Sequence, residues 1–355
     1  MTDKKIRVGI LGVSGYGGGE LARIVAQHPC AALSIVTSNS QAGQPLKAAF
    51  AGRAKQIESI CEKFDFDQVV SRCDVVFMAG EAGLAMDIAP QLLQAGKKVI
   101  DLSADFRLQN PEDFQKWYKL PHTATAWLAK AVYGLPELNR DKIKGAQLVA
   151  NPGCYPTSAL LALMPLLQKG LIEPDSLIID SYSGVSGAGR FKFGLDFHFA
   201  EVNESLKPYA VGGVHRHVPE IEQMLSIMAG HPVVVTFTPH LAPISRGILT
   251  TAYANLTAAA KTMDTDALSK IYQEHYAREP FVVVKAPQEH PATKHVVGSN
   301  MCHVSATVDA RTGRVVITSA LDNLVKGMTG QAVQNMNLMC GLDETTGLAA
   351  TSLWP

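Results

Sequence analysis

The beginning of the chain carries the pattern that most limits its fold. An apolar run at Ile6–Leu11 leads without a break into a glycine-rich turn, Gly12–Gly19, and a helical pattern follows at Glu20–Gln27. The glycines recur every third residue in this turn, a spacing that allows a tight bend and lets a pyrophosphate approach the helix N-terminus. We therefore predict a dinucleotide site here. Its predicted contacts are Gly12, Ser14, Gly15, Tyr16, Gly17 and Gly18.

The end of the second predicted strand bears on which dinucleotide is bound. Ala32–Thr37 is followed by Ser38, Asn39 and Ser40. Enzymes that use NAD usually place Asp or Glu at this point to bind the ribose 2′-hydroxyl. Hydroxyl and amide groups can hydrogen-bond a 2′-phosphate without repelling it, so we predict NADP as the cofactor, bound in part by Ser38 and Ser40. The alternative is that Ser38 only caps a turn.

Strands and helices alternate from residue 6 to residue 151. Further patterns predict a strand at Val75–Gly80, a helix at Ala82–Ala95 and a strand at Lys98–Ser103. This alternation is typical of an α/β protein with a doubly wound parallel sheet of the Rossmann type, which binds ligands at the carboxyl ends of its strands. Arg107 follows such an end, so we predict that it binds a phosphate. A surface ion pair is the alternative.

The pattern changes after residue 154. Strands now dominate, and Ala310–Gly313 marks a hairpin between the last two. The predicted strands are Leu177–Ser183, Val233–Phe237, Gly247–Leu256, His303–Asp309 and Arg314–Ser319. We predict a second domain of α+β type with an antiparallel or mixed sheet, and a long final helix at Asn323–Met339. The expected domains are residues 1–153 plus 323–355, and residues 154–322.

A candidate nucleophile lies at Asn151–Thr157, which reads Asn-Pro-Gly-Cys-Tyr-Pro-Thr between a short apolar strand and a long apolar helix. Pro156 suits the first turn of that helix, where its missing N–H removes no bond. Cys154 then stands at the helix N-terminus, whose positive dipole end favours a thiolate. We therefore predict that Cys154 is a catalytic nucleophile. A buried, inert cysteine is the alternative.

A candidate base lies at His215–Ile221, which reads His-Arg-His-Val-Pro-Glu-Ile. Pro219 opens a predicted helix, so His217 stands at its N-terminal edge. The helix dipole there favours the neutral imidazole, which can take a proton from a partner such as Cys154. His215 is the other candidate, and both histidines could instead be structural. We find no further ligands with the spacing of a zinc site, so we predict no metal.

Two further loops offer ligand contacts. Ser183–Arg190 combines three glycines and two serines directly after a strand, which suits close approach of the backbone to a ligand. We predict that Ser186 contacts the substrate. Arg246 lies in a proline-rich turn between two strands, Pro239–Gly247, where a fixed guanidinium could hold a substrate carboxylate. The alternative for Ser183–Arg190 is a loop with only a structural role, and the alternative for Arg246 is a solvated arginine that binds no ligand.

Composition limits the partners of the chain. Its 355 residues carry a formal net charge of +0, which argues against nucleic acid or an anionic membrane as the main partner. No apolar run approaches the roughly 18 residues of a membrane span, and Met1–Val8 does not resemble a signal peptide. Six cysteines without a Cys-x-x-Cys pair indicate reduced thiols, so we expect a cytoplasmic location.

These candidates fit one kind of reaction. A cysteine can form an acyl-enzyme that a nicotinamide cofactor reduces to an aldehyde, with a neutral histidine moving the proton. The glycine-rich turn and the cysteine, histidine and arginine stretches, together with Asp101–Arg107 and Asp322–Gly327, resemble the signatures of the N-acetyl-γ-glutamyl-phosphate reductase family. The resemblance runs nearly end to end, and its specific parts are the cysteine and His-Arg-His stretches.

The resemblance implies a fold like those of glyceraldehyde-phosphate and aspartate-semialdehyde dehydrogenases, with the last helix packed on the nucleotide domain. It implies NADPH-dependent reduction of N-acetylglutamyl 5-phosphate to the semialdehyde, a step of arginine biosynthesis. Cys154 matches the family's nucleophile, and we favour His217 over His215 as the base. Near the cofactor the family places Gly187, Ala188 and Asn323.

One position departs from the family pattern, because Asn39 stands where members often carry a basic residue. The apolar second sheet suits burial against another copy, so we expect a homodimer or homotetramer. Close alternatives are reductases of aminoadipyl phosphate, one carbon longer, or of aspartyl phosphate. Alternatives from other classes are a thiol hydrolase or amidase on a nucleotide-binding scaffold and a non-catalytic NADP sensor.

Overall fold

The computed structural model describes residues 5–46 and 59–353, so Met1–Lys4 of the signal-peptide prediction lie outside the described residues. The described chain divides into two compact units. The first lies within Met1–Pro152, Gly189–Phe191 and Met328–Ala350, and the second within Gly153–Ala188, Lys192–Gly327 and Thr351–Pro355. Among the helices described, none is both long and apolar enough to cross a membrane.

The first unit is a parallel sheet whose strands are connected mainly by helices. Its strands are β1 (Ile6–Leu11), β2 (Ala31–Thr37), β3 (Val75–Met78), β4 (Lys98–Asp101), β5 (Val132–Tyr133) and β6 (Leu148–Ala150). Its helices are α1 (Tyr16–Ala26), α2 (Phe66–Arg72), α3 (Leu84–Gln94), α4 (Pro111–Tyr118), α5 (Thr125–Leu128) and α6 (Pro136–Lys144). The strand order is β2-β1-β3-β4-β6-β5 with parallel pairing throughout. The predicted doubly wound parallel sheet is confirmed.

The order of these strands fixes where the first unit can bind a ligand. From β1 the chain moves to β2 on one side, and later to β3 on the other. Most residues of β1, β3 and β4 are buried, as expected where helices cover both faces of a sheet. Open α/β sheets bind ligands at such a reversal, beyond the carboxyl ends of the strands. The predicted dinucleotide turn follows β1 at this point.

The second unit is built on a mixed sheet. Its helices are α7 (Cys154–Gln168), α8 (Phe199–Val202), α9 (Val218–Ala229) and α10 (Thr265–His275). Its strands are β7 (Ile178–Gly184), β8 (Lys207–Pro208), β9 (Thr236–Ala242), β10 (Ile248–Asn255), β11 (Val282–Val284), β12 (Cys302–Asp309) and β13 (Arg314–Leu321). The order is β11-β12-β13-β10-β7-β9-β8, with β11–β12 and β7–β9 parallel and the other pairs antiparallel. The predicted mixed sheet and the β12–β13 hairpin are confirmed.

One strand of this sheet begins later than predicted. The alternation of buried residues does start at Val233, but β9 pairs with β7 only from Thr236, because β7 itself begins opposite it at Ile178. The strand therefore runs from Thr236 to Ala242 instead of from Val233 to Phe237.

Helix α7 is the centre of the second unit. It packs against β10, β12 and β13 and against α9 and α10. Pro165 has no N–H for the carbonyl of Leu161, four residues earlier. The hydroxyl of Tyr276 donates to that carbonyl at 2.5 Å and so replaces the missing bond. The long apolar helix predicted after the cysteine is therefore stable despite its internal proline.

The predicted single helix at Asn323–Met339 is wrong. Val325–Thr329 forms a π-helical turn, in which the N–H of Gly327 donates to the carbonyl of Asp322, five residues back, at 2.9 Å. Only then does α11 (Gly330–Met339) begin. Helix α11 packs on α1, α6 and β4 of the first unit, as the family resemblance implied.

Candidate active site

Cys154 is the first residue of α7. Its N-cap, Gly153, is extended (φ −69°, ψ 155°), and this helix has no side-chain cap and no acidic residue in its first turn. The positive end of the helix dipole favours a thiolate at this position. Burial acts in the opposite direction on other thiols, since it raises the pKa of Cys73 to about 11 and also raises the pKa of Cys61 and Cys340. The half-buried Cys154 therefore has the surroundings of a nucleophile.

The His217 imidazole lies against the backbone just before Cys154. A Cβ atom at Gly153 would come within 2.6 Å of His217 Nε2 and 2.9 Å of its Cε1. A side chain at residue 153 would thus displace the ring. His217 is the N-cap residue of α9, and Pro219 lies in the first turn, as predicted. The second unit therefore brings the predicted base next to the predicted nucleophile.

His215 faces a different set of groups. Its Nδ1 accepts the backbone N–H of His217 at 3.1 Å, and its Nε2 lies 3.4 Å from the hydroxyl of Tyr209. Burial, together with the charge of Arg216, lowers the pKa of His215 to about 4, so its ring is neutral at pH 7. Because Nδ1 accepts, the proton of the neutral ring is on Nε2. His215 thus supports the backbone of His217 through one ring nitrogen.

Two tyrosines surround these histidines. The hydroxyls of Tyr155 and Tyr209 lie 3.0 Å apart, and the Tyr155 ring meets His215 and His217 edge to face, with centroids 5.4 and 5.8 Å away. Burial raises the pKa of Tyr209 to about 12 and also raises that of Tyr155. Both phenols therefore keep their protons at neutral pH, and the Tyr155 ring packs against the two imidazoles as a neutral group.

Glu220 is a contact that the sequence analysis did not assign. It is 1% exposed, lies in the first turn of α9, and accepts the N–H of Gly153 through Oε1 at 2.8 Å. This carboxylate ties the turn before Cys154 to the helix that begins at His217. An acidic residue in a helical segment otherwise rich in apolar residues was the available signal, because a buried carboxylate requires hydrogen-bond partners.

Gly327 lies against the other side of Cys154. A Cβ atom there would come within 2.8 Å of Cys154 Cβ and 3.2 Å of its Cα. The π-helical turn at Val325–Thr329 places this glycine at the nucleophile, and such turns recur at functional sites. Gly153 and Gly327 thus flank Cys154, one next to the imidazole and the other next to the thiol-bearing carbon.

The two predicted substrate contacts meet at one edge of the second sheet. Arg246 Nη1 lies 3.5 Å from Oδ2 of Asp322, whose side chain is fully buried. Asn323 accepts the N–H of Gly247 at 2.8 Å and donates to Ser186 Oγ at 3.0 Å. These two residues after β13 therefore join the Arg246 turn to the Ser186 loop. The Asp322–Gly327 stretch carries part of the family resemblance, but this linking role is not visible in the sequence.

The predicted cofactor residues Gly187 and Ala188 lie in the same loop. Val185–Ala188 is a single 3₁₀ turn directly after β7, and the N–H of Ser186 donates to the carbonyl of Ser245 at 3.1 Å. A Cβ atom at Gly187 would lie 3.1 Å from Ser183 Oγ. This turn, like Asn323, is tightly held within the second unit.

The glycine-rich turn of the first unit has the backbone that a dinucleotide site needs. Gly12 has φ +95°, a value that favours glycine, and a Cβ there would lie 2.8 Å from the carbonyl oxygen of Ala79. A Cβ at Gly17 would lie 2.5 Å from Met328 Cε. A Cβ at Gly15 would instead meet no described atom within 4 Å. The turn is thus closely packed behind and open at the start of α1, which fits a pyrophosphate.

The remaining predicted contacts of this turn are Ser14, Tyr16 and Gly18. The carbonyl of Ser14 accepts Arg190 Nη1 at 3.2 Å, within the first unit. Tyr16 is the first residue of α1 and is 43% exposed. A Cβ at Gly18 would overlap the backbone at Gly12 and Val13, so this position also requires glycine.

The residues predicted to select NADP follow β2. Ser38 is 3% exposed, and its Oγ accepts the N–H of Gln41 at 3.2 Å and lies 3.4 Å from Ser40 Oγ. Asn39 and Ser40 are exposed. The turn-capping contact considered for Ser38 is therefore present, and the exposed polar groups that follow β2 are Asn39 and Ser40.

Arg107 lies in the first unit and is mostly buried, at 8% exposed. Its Nε donates to the carbonyl of Asn151 at 2.8 Å and its Nη2 to that of Leu102 at 2.9 Å. Nearby, burial and the charge of Asp105 raise the pKa of Asp101 above its usual range. Arg107 thus supports the backbone three residues before the nucleophile.

No group of three or more His, Cys, Asp or Glu side chains that could hold a metal ion occurs within residues 5–46 and 59–353. His215 and His217 lie with their ring centroids 5.0 Å apart, and His215 Nδ1 is engaged by the backbone. The contacts described for these two rings are hydrogen bonds and edge-to-face ring packing.

Comparison with known proteins places this geometry in a family. Residues 7–146 match the family described as "Semialdehyde dehydrogenase, NAD binding domain", and residues 154–323 match "Semialdehyde dehydrogenase, dimerisation domain". A relative in Desulforudis audaxviator named N-acetyl-gamma-glutamyl-phosphate reductase is 50% identical over 99% of this chain and 100% of its own. A protein of the same name in Pelotomaculum thermopropionicum is 51% identical over 99% of both chains.

Solved structures show the same fold at low sequence identity. Aspartate semialdehyde dehydrogenase II from Vibrio cholerae has a TM-score of 0.72 at 16% identity, covering 95% of this chain and 99% of its own. The Candida albicans aspartate semialdehyde dehydrogenase with NADP has a TM-score of 0.71 at 15% identity and the same coverage. The expected aspartate-semialdehyde-dehydrogenase-like fold is confirmed. The chain therefore belongs to the semialdehyde dehydrogenases, within the family of N-acetyl-γ-glutamyl-phosphate reductases.

Proposed function

We propose that this chain reduces N-acetyl-L-glutamyl 5-phosphate to N-acetyl-L-glutamate 5-semialdehyde with NADPH, releasing phosphate, in arginine biosynthesis. Full-length relatives at about half identity carry the name of this activity. The observation that carries the chemistry is the position of Cys154 at a helix start, between two glycines and beside His217. A cysteine thiolate paired with an imidazole is the arrangement that acyl transfer requires.

The first step forms a thioester on Cys154. His217 takes the thiol proton, the sulfur attacks the acyl carbon, and the bond from that carbon to the phosphate oxygen breaks. The N–H groups at the start of α7 favour the negative charge on the tetrahedral oxygen. Phosphate leaves with the electron pair of the broken bond, and His217 holds the proton for the next step.

The second step reduces this thioester. When bound, NADPH supplies the hydride that turns the thioester carbonyl into a thiohemiacetal oxygen. That oxygen then re-forms the carbonyl of the aldehyde, and the carbon–sulfur bond breaks. The protonated His217 stabilises the departing sulfur of Cys154. The neutral His215, bonded to the backbone N–H of His217, keeps the base in place, so we assign proton transfer to His217 and a supporting role to His215.

Substrate recognition is assigned to Arg246 and Ser186. A guanidinium suits the free carboxylate of an N-acylated amino acid, and the buried carboxylate of Asp322 orients Arg246 for this contact. Arg107 supports the turn before the nucleophile through Asn151. The phosphate contact predicted for Arg107 stays a prediction, which the KM of an Arg107→Lys variant for the acyl phosphate would test.

We assign NADP as the cofactor, with the glycine-rich turn taking the pyrophosphate and the exposed Ser40 and Asn39 taking the 2′-phosphate. The packing of Gly12, Gly17 and Gly18 supports the first contact. The absence of an acidic residue at Ser38–Ser40 supports the second. We further propose a homodimer or homotetramer formed through the second unit, whose family is described as a dimerisation domain. A cytoplasmic location fits the six cysteines, all of which lie in the described residues and none of which forms a disulfide there.

The test is an NADPH-oxidation assay with N-acetylglutamyl phosphate, run beside the reverse reaction of semialdehyde, NADP and phosphate. We expect loss of NADPH absorbance that matches phosphate release one to one. Release of phosphate and free acid without NADPH oxidation would identify a thiol hydrolase and overturn the proposal. Rates with the aminoadipyl and aspartyl analogues in the same assay would establish the substrate, and faster turnover of either analogue would correct it.

A further inference from the structure

The helix that carries the nucleophile has no polar face. In α7, the thirteen residues from Tyr155 to Leu167 are all buried, and most of them are Leu, Ala and Met. A helix that is hydrophobic all round is buried readily, but apolar packing alone sets its rotation about the axis only weakly. That rotation decides where the Cys154 side chain points. Polar contacts of the helix are therefore important in setting this rotation.

Ser158, one helical turn after Cys154, interrupts this apolar surface. Its hydroxyl donates to Thr250 Oγ1 at 2.9 Å and lies 2.7 Å from Ser319 Oγ. Thr250 Oγ1 lies 2.8 Å from Ser181 Oγ, and Ser319 Oγ also donates to the Ser158 carbonyl at 2.9 Å. All four residues are 0% exposed. We call these four residues the hydroxyl chain.

Three members of the hydroxyl chain form one row across the sheet. Thr250 on β10 pairs directly with Ser319 on β13 and with Ser181 on β7. Ser158 of α7 completes the row from above. A buried hydroxyl without a partner costs about 1–3 kcal/mol, so moving Ser158 off the row would add this penalty to any loss of apolar contacts. The row therefore favours one rotation of α7.

We propose that the hydroxyl chain positions the nucleophile, by fixing the rotation of α7 and so the direction of the Cys154 thiol. Its members are positioning residues, since they act through the helix and do not contact the reacting atoms. The inference rests on the proposed function in one respect, because Cys154 is taken as the nucleophile. It adds a set of buried serine and threonine side chains to the residues on which turnover depends.

The first test compares two substitutions at one position. Thr250→Val replaces the hydroxyl by a methyl group of similar size and removes the Thr250 contacts with both Ser158 and Ser181. We expect kcat to fall about tenfold, as loss of one buried hydrogen bond would allow, with both KM values within about twofold. Thr250→Ser keeps the hydroxyl and is expected to retain kcat within about twofold. Failure of Thr250→Ser to retain activity would overturn the proposal.

A second readout needs neither substrate nor cofactor. The rate constant for alkylation of Cys154 by iodoacetamide, measured from pH 5 to pH 9, reports the thiol directly. We expect this rate in Thr250→Val to fall by a factor similar to that in kcat, and to be normal in Thr250→Ser. Alkylation of the native protein without any turnover would reject the proposed function, yet the comparison between the variants would still be readable.

The chain offers a matched control on the opposite face of the same sheet. Thr318 lies next to Ser319 on β13, and its hydroxyl is 2.8 Å from Ser305 Oγ. Thr318→Val removes one hydroxyl hydrogen bond of the same kind. Because Thr318 is half-buried whereas Thr250 is fully buried, we expect Thr318→Val to lower Tm less than Thr250→Val does and to leave kcat and alkylation unchanged. Equal losses of kcat in the two variants would mean a general effect on stability and would contradict the proposal.

If Thr250→Val does not fold, Ser181→Ala tests the same proposal. Ser181 is the end of the hydroxyl chain, and its removal leaves the contacts of Ser158 with Thr250 and Ser319 in place. We expect a smaller loss, about two- to threefold in both kcat and alkylation rate, because Thr250 loses one of its two partners. Unchanged kcat and alkylation in this variant would overturn the proposal.

Discussion

Two turns of the chain have almost the same backbone, one before α1 and one before α7. Each ends in a glycine N-cap, with φ −73° and ψ 166° at Gly15 and φ −69° and ψ 155° at Gly153. Neither helix has a side-chain cap or an acidic residue in its first turn. Both helix starts can therefore stabilise a negative charge through their N–H groups and dipole.

The turns differ in what lies over the glycine. A Cβ at Gly15 would meet no described atom within 4 Å, whereas one at Gly153 would meet the His217 ring. The first turn is open to an anion that arrives from solution, such as a cofactor pyrophosphate. The second is covered by an imidazole and carries its own anion, the Cys154 thiolate. The same backbone conformation thus suits anion binding in the first turn and activation of the Cys154 thiol in the second. The difference is the His217 side chain, which comes from a distant segment of the chain.

The largest effect is expected at the second turn itself. Cys154→Ser should abolish turnover, since a serine hydroxyl at this position is a far weaker nucleophile than a thiolate. Cofactor binding should be retained, because the predicted dinucleotide turn belongs to the first unit. Turnover would be measured by NADPH oxidation, and binding by quenching of protein fluorescence. Normal turnover by this variant would remove the covalent route.

The second-largest effect on turnover is expected at His217, the side chain that lies over Gly153. His217→Asn removes the base and should lower kcat by about 10²–10⁴-fold, the usual range for loss of general acid–base catalysis. The pH dependence of kcat should lose the limb that belongs to His217, whereas His215→Asn should keep it. If His215→Asn lost that limb and His217→Asn kept it, His215 would be the base and His217 the supporting residue.

Substitution of alanine for the N-cap glycines Gly15 and Gly153 tests the difference between the two turns most directly. Both backbones are allowed for alanine, so the substitution adds only a methyl group. Gly153→Ala should displace His217 and lower kcat and the alkylation rate of Cys154 at least tenfold. Gly15→Ala should leave alkylation unchanged, because no described atom lies within 4 Å of the added methyl group. If both variants affected alkylation equally, the two turns would not differ as described.

The smallest effect concerns stability below neutral pH. The pKa of His215 is about 4 in the folded protein and near 6.5 when unfolded, so the unfolded state binds the extra proton between these values. The stability contributed by the neutral ring is present above pH 6.5 and is lost as the pH falls towards 4. Its contribution to the slope is at most about 1.4 kcal/mol per pH unit.

Urea denaturation from pH 7 to pH 4.5 would measure this contribution. His215→Asn should flatten the dependence of the free energy of unfolding on pH, because asparagine does not titrate. His231→Asn, at an exposed histidine, is the control and should keep the native slope. A slope unchanged by His215→Asn would show that His215 is not held neutral by burial.

Local sequence patterns predicted that a helix follows each turn, because this depends on neighbouring residues, although α1 begins at Tyr16 and not at the predicted Glu20. The glycine spacing before α1 and the Gly-Cys-x-Pro order before α7 are visible in a few letters, as is Pro219 at the start of α9. The alternation of strands and helices likewise predicted the parallel sheet and, where helices became rare, the mixed one. These features need no knowledge of contacts between distant segments.

Contacts between distant segments were beyond such patterns. Glu220 reaches Gly153 across 67 residues, and Arg246 reaches Asp322 across 76. Nothing in a single stretch indicates which buried polar group will meet which. The π-helical turn at Val325–Thr329 was missed for the same reason, since the π-helix places Gly327 against a cysteine far earlier in the chain. The sequence identified most candidate chemical groups, and the structure supplied their partners.

The most direct measurement is the mass of the protein after incubation with N-acetylglutamyl phosphate in the absence of NADPH. We predict a single acyl adduct that peptide mapping places on Cys154, that hydroxylamine removes, and that added NADPH discharges as aldehyde. Cys154→Ser should form no adduct. Phosphate release without an adduct, or an adduct on another residue, would contradict the assignment of Cys154 as the nucleophile.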